Sequence, residues 1–262
     1  MNPVTCSLWP DGAPGALGQK PADIPSIALY PPTAPANGAA ILVFPGGGYE
    51  ALMDYEGEAY AVWLASQGYY GMVVNYRLTS GGYTLPQMTQ DGIRAVRWAR
   101  SRAVELGFDP SRIGIIGSSA GGHMCALLGV HWDLGDPDSA DPVERVSSRP
   151  DLVVLCYAVI KFWGERSRER LFGGHKPSAQ ELDFFAASDH VQADTPPCFL
   201  FHTVEDQLVP VSQALLFAQA LESNRVPFEL HLYQRGSHGL ALGSGHPWTQ
   251  ECLRWLKENL WR

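Results

Sequence analysis

The chain has 262 residues, 45% hydrophobic, 18% charged and 11% aromatic, which allows one large α/β domain with a sizeable core and excludes disordered and fibrous classes. Its longest unbroken apolar run, Leu152 to Ile160, is nine residues, well short of the roughly 20 that a membrane-spanning helix needs. A formal net charge of −8, with no Lys/Arg run, argues against nucleic acid as a partner.

The N-terminal residues before Pro10 and Asp11 carry neither a basic segment nor an apolar stretch of signal-peptide length, so a cytoplasmic location is expected. The first forty residues are rich in proline and offer one strand, Ser26 to Tyr30, of the edge type. Apolar runs rich in β-branched residues then predict buried strands at Ala40 to Phe44, Gly71 to Tyr76, Arg112 to Ile116, Leu152 to Tyr157, Cys198 to His202 and Phe228 to Tyr233. Helical periodicity falls between them, over Gly57 to Gln67, Leu85 to Leu106, Ala120 to His131, Val211 to Ser223 and Trp248 to Leu260. Asp54 is the expected N-cap of the first helix, with Glu56 and Glu58 in its opening turn against the helix dipole. Strands alternating with helices predict a mostly parallel sheet covered on both faces, in a single domain spanning 1–262. Two stretches interrupt the alternation, Trp132 to Pro150 and Lys161 to Gln192, and residues 161–192 are the expected cap over the carboxyl ends of the strands.

Chemistry concentrates at the strand ends. Gly117-Ser118-Ser119-Ala120-Gly121 is a G-x-S-x-G placed between a strand and a helix, the setting of a nucleophile elbow, with Ser119 as the nucleophile and Ser118 as filler. The alternative is a glycine-rich turn with incidental serines. Pro45-Gly46-Gly47-Gly48-Tyr49 follows the strand Ala40 to Phe44 and lacks the Lys and Ser/Thr of a phosphate loop. Its backbone N–H groups, with that of Ala120, suit a developing oxyanion, against the alternative of a plain tight turn. A serine hydroxyl needs a base, and the base needs a carboxylate to hold its tautomer. His238, in the loop Arg235-Gly-Ser-His-Gly239, is the candidate base. Asp206 is the candidate carboxylate, with its neighbour Glu205 as the alternative.

The order Ser119, Asp206, His238 is that of the α/β-hydrolase triad. Together with P-G-G-G-Y, G-S-S-A-G-G-H, E-D-Q-L-V-P, G-S-H-G and the opening Leu8-Trp-Pro-Asp-Gly-Ala-Pro-Gly15, it makes the chain resemble the α/β-hydrolase serine esterases of the acetyl xylan esterase and feruloyl esterase-like (BD-FAE) type, from about Leu8 to the last helix. Pro45 stands where lipase-like relatives carry His. The resemblance implies that Gly47, Gly48 and Ala120 shape the oxyanion hole, and that the reaction is removal of short acyl groups, acetyl foremost, from small-molecule or oligosaccharide esters. No cofactor is implied. An arylformamidase or peptidase-like hydrolase on the same triad, or a catalytically silent binding protein on the same fold, are the rival readings.

Other residues receive plainer readings. His123 is expected to steady the elbow, and His202 to line the pocket or belong to the core. Arg77 and Asp91 are expected as a structural ion pair. Tyr49 is expected beside the oxyanion loop as a substrate contact that narrows the site. Trp163 is a second candidate contact, while Phe162, Phe172, Phe184 and Phe185 either stack on a substrate or pack the cap. Five cysteines with no C-x-x-C pair, and eight histidines with no H-E-x-x-H, predict buried free thiols and no metal site.

Overall fold

In the computed structural model, residues 3–162, 172 and 176–260 are described. Eight strands form one sheet in the order β1-β2-β4-β3-β5-β6-β7-β8. They are β1 (Val4–Ser7), β2 (Ser26–Tyr30), β3 (Ala40–Phe44), β4 (Tyr70–Asn75), β5 (Ile113–Ser118), β6 (Leu152–Cys156), β7 (Cys198–Thr203) and β8 (Phe228–Tyr233). Every pairing from β4 to β8 is parallel, whereas β1, β2 and β4 are joined antiparallel. The fold is that of the α/β hydrolases.

Residue alternation along the strands assigns side chains to two layers. Ala40, Leu42 and Phe44 face one way and pack with α2 (Leu85–Leu106), α3 (Ser119–Val130) and α5 (Ser212–Ser223). Ile41 and Val43 face the other way, toward α1 (Glu58–Ser66) and α6 (Trp248–Leu260). A short helix, α4 (Ala179–Phe184), belongs to the second insertion and starts on a capping box in which Ser178 and Glu181 satisfy each other's backbone N–H groups. Among the described residues, no helix is long and apolar enough to cross a membrane.

Three sequence expectations are corrected. The N-terminal region holds two strands, because Val4–Ser7 pairs with β2 and takes the sheet edge in its place. The nucleophile elbow has no gap between strand and helix: β5 runs through Ser118 and Ser119 is already the first residue of α3. Asp54 does not cap α1. Residues Asp54–Glu56 form a 3₁₀ turn of their own, Gly57 is the N-cap, and Glu56 turns inward, 2% exposed, instead of standing in solvent against the dipole.

Candidate active site

The residues of the candidate triad and of the glycine loop lie just beyond the carboxyl ends of parallel strands, where the loops of adjacent strands converge. Gly46 to Tyr49 follow β3, Ser119 follows β5, Tyr157 follows β6, Asp206 follows β7 and His238 follows β8. Ser119 has φ 53°, in the left-handed region, which turns its side chain up out of the strand-to-helix corner. The corner is tight enough to need glycine at 121, where a Cβ would lie 2.0 Å from the Phe44 carbonyl oxygen.

Ser119 Oγ is 2.8 Å from His238 Nε2, and His238 Nδ1 is 2.7 Å from Asp206 Oδ2. A carboxylate only accepts, so Nδ1 carries the proton and donates to Asp206 while Nε2 is left to accept from the serine hydroxyl. Asp206 is 6% exposed. Burial alone would raise its pKa, but bonds from His202, His238 and the Val209 N–H outweigh it and hold the carboxyl well below the ordinary range. Leu208 N–H adds a further bond at 2.9 Å. Glu205, the alternative carboxylate, is exposed and accepts from Gly236 N–H at 3.3 Å, so it is Asp206 that meets the histidine.

His202, fully buried, donates Nε2–H to the Val209 carbonyl at 3.0 Å and lies 3.4 Å from Asp206 Oδ2, which makes it a support of the carboxylate. The side chain of Ser118 points away from the corner and donates to Tyr60 Oη at 2.9 Å. Arg77 and Asp91 form the expected fully buried ion pair at 2.7 Å, tying the chain after β4 to α2.

On the facing loop, Gly47 and Gly48 have φ 136° and 63°. Their N–H groups donate to no described residue. Ala120 is the second residue of α3, in the first turn, where backbone N–H groups have no partner within the helix. Three free N–H groups are thus available near Ser119. Gly46 N–H, by contrast, is taken by Glu56 Oε2 at 3.0 Å.

Tyr49 requires a correction. Its ring is 4% exposed, and its hydroxyl donates to His123 Nδ1 at 2.9 Å, while His123 Nε2–H donates to the Phe185 carbonyl at 2.8 Å. A buried ring so engaged is a strut from the glycine loop to α3, rather than an open wall of the pocket. Burial pushes the His123 pKa down to about 4, against the opposing bond to Phe185, so the imidazole is neutral. Phe162, Phe172 and Phe185 pack on one another, and Phe162 also meets His123 edge-on at 6.2 Å. Phe184 stacks on His131 at 3.9 Å. Trp163 and much of the expected cap lie outside the described residues.

Two features could not be read from the sequence. Glu56 and Tyr157 are buried together beneath the site, bonded at 2.6 Å, and the Tyr157 ring meets His238 edge-on at 5.2 Å. Of the five described residues other than glycine with positive φ, four (Tyr49, Ser119, Tyr157 and Ala241) belong to this region. A separate concavity of about 780 Å³, lined by Trp9, Ile93, Arg94, Arg97 and Phe184 among others, includes none of Ser119, Asp206 and His238. Its arginines are paired with Asp133, Asp141 and Glu144. Among the described residues no cluster of His, Cys, Asp and Glu is arranged to hold a metal ion.

Known proteins share this framework. The chain is 35% identical over 228 residues to endo-1,4-beta-xylanase B of Butyrivibrio fibrisolvens, covering 84% of this chain and 35% of that protein. It is 30% identical over 234 residues to acetylxylan esterase of Xylanibacter ruminicola, covering 84% of this chain and 46% of that one. The chain therefore spans less than half the length of these two relatives. The crystal structure of an acetyl ester-xyloside bifunctional hydrolase from Caldicellulosiruptor lactoaceticus superposes with a TM-score of 0.90 at 40% identity, covering 97% of this chain and 96% of that one. The BD-FAE family profile matches residues 27–221, and with the strand order and the Ser119, Asp206 and His238 geometry it makes this chain a member of the BD-FAE family of α/β hydrolases.

Proposed function

We propose that the chain is a serine-dependent carboxylic ester hydrolase that removes short acyl groups, acetyl foremost, from carbohydrate or other small esters. The observation that carries this reading is the hydrogen-bonded series Ser119, His238, Asp206, set opposite three free backbone N–H groups. In this reading Ser119 Oγ attacks the ester carbonyl as His238 Nε2 takes its proton, and the N–H groups of Gly47, Gly48 and Ala120 bind the oxyanion. Collapse of the tetrahedral intermediate breaks the bond to the alcohol, which leaves with the proton from His238. Water, deprotonated by His238, then attacks the acyl-serine, releasing the acid and restoring Ser119. Asp206 stabilises the imidazolium in both halves while staying ionised. The acetylxylan esterase and the acetyl ester-xyloside hydrolase named above support a carbohydrate ester as the substrate class.

A fluorophosphonate, which reacts with activated serines, tests the reading. The intact protein should be labelled stoichiometrically at Ser119, with loss of hydrolysis of p-nitrophenyl acetate in step. Ser119→Ala should abolish both while keeping the fold. No labelling of the folded wild-type protein would favour the silent binding protein instead.

A further inference from the structure

Glu56 accepts with both of its oxygens. Oε2 takes the Gly46 N–H at 3.0 Å, and Oε1 takes the Tyr157 hydroxyl at 2.6 Å. The Tyr157 oxygen in turn accepts the Ala241 N–H at 3.1 Å, so its own hydrogen is committed to the carboxylate. Two donors on two oxygens suit the ionised form, while burial pushes the Glu56 carboxyl up against both bonds. The anion sits close under the nucleophile corner. A Cβ at Gly46 would meet Glu56 Oε2 at 2.4 Å and Ser119 Cβ at 3.1 Å.

The titratable groups around Glu56 come from several elements. They are Tyr55 of its own turn, Tyr60 of α1, Tyr76 after β4, Cys156 and Tyr157 at the end of β6, and His238 after β8. Among the described residues, no Lys or Arg forms an ion pair with Glu56. Of the surrounding groups, only His238 becomes a cation, and it does so in the step where it holds the serine's proton.

We infer that Glu56 is a positioning residue of the site, a second carboxylate that fixes the glycine loop through Gly46 and the histidine loop through Tyr157 and Ala241, and whose buried charge favours the His238 imidazolium. This rests on the triad proposed above. Neither loop touches the other by backbone pairing here, so the carboxylate and the tyrosine join the oxyanion side of the site to the base side. The edge of the Tyr157 ring also meets His238 directly, which places the base from below.

The test is the pH profile of kcat/KM on p-nitrophenyl acetate for wild type, E56Q and E56D, with folding checked by circular dichroism and thermal melting. E56Q keeps the shape and loses the charge. Its acid limb is expected to move to lower pH by about half a pH unit or more, with kcat down roughly tenfold and KM within about threefold of wild type. E56D keeps the charge and loses reach, so its kcat should fall while its acid limb stays within about 0.2 pH units. An E56Q limb that superimposes on wild type overturns the inference. Should E56Q fail to fold, an E56D limb displaced as far as half a unit overturns it, since the limb would then follow packing and not charge. Ser119→Ala, run alongside, separates the two claims: residual full activity there defeats the triad reading itself, whereas an inactive Ser119→Ala with an unmoved E56Q limb defeats only the role of Glu56.

Discussion

At the scale of single residues, the two adjacent serines offer the sharpest contrast. Ser118 is fully buried and bonded to Tyr60, while Ser119 faces His238. Ser119→Ala is expected to lower kcat by about 10⁴ or more, and Ser118→Ala to change it by less than about tenfold, in steady-state assays on p-nitrophenyl acetate. The sequence made this pair legible, because G-x-S-x-G between a strand and a helix sets one hydroxyl at the turn. It did not reveal the direction of Tyr49, since a tyrosine after three glycines can face the pocket or the core, and only the His123 partner 74 positions away decides it. His123 yields a prediction of its own. Its folded-state pKa, lowered to about 4 by burial, lies below the ordinary value of 6.5, so the unfolded chain takes up a proton that the folded one refuses, and the stability due to the neutral imidazole is lost as pH falls from 6.5 toward 4. The whole loss is at most about 3 kcal/mol. His123→Gln should therefore be less stable than wild type at pH 7, and urea denaturation should show the gap narrowing by pH 4.5.

At the scale of elements, the glycine loop is the part with least room to change. A Cβ at Gly47 would lie 2.2 Å from the Ala51 carbonyl oxygen, on a backbone with φ 136° that other residues rarely adopt. Gly47→Ala should displace the loop's N–H groups and lower kcat by about 10² or more with a smaller effect on KM, the scale of losing one oxyanion donor. Single-turnover labelling by the fluorophosphonate should slow in parallel. The central strands and the long helices were legible, since buried strands read as unbroken apolar runs and Leu85–Leu106 keeps its period over 22 residues. The edge was not. Val4–Ser7 has only four residues, two of them exposed, and its strand character comes from hydrogen bonds to β2 that no local pattern announces. Glu56 was misread for a related reason: an acidic residue at a helix start is ordinarily solvated, and its burial depends on Gly46 and Tyr157, which belong to other strands' loops. The second insertion shows the same dependence on distant partners. Three successive carbonyls at the end of α4, those of Asp183, Phe184 and Phe185, accept from His190, His131 and His123, two of which belong to α3 and its end.

For the whole molecule, the question is which esters the site admits. Phe162, Phe172 and Phe185 pack in series beside His123, which Tyr49 bonds from the glycine loop, and in the proposed reading they bound the acyl pocket. The expected consequence is a kcat/KM on p-nitrophenyl esters that falls at least tenfold from acetyl to octanoyl, equivalent to about 1.4 kcal/mol in transition-state binding. A profile rising with chain length would turn the proposed substrate class toward lipid-like esters. The distribution of backbone strain bears on a different question, that of descent. Left-handed geometry at a residue with a side chain costs on the order of 1–3 kcal/mol, and here it gathers at Tyr49, Ser119, Tyr157 and Ala241 while, among the described residues, Arg225 alone adopts it elsewhere. Such strain persists only where the surrounding structure over-determines it, and it clusters at functional sites. A lineage that had stopped turning over substrate would be free to place glycine at these four positions and relax; one that still does chemistry is held to the tense form. The tension at the strand ends is what the proposed reaction would call for, and a binding protein that merely inherited the fold would have no use for it.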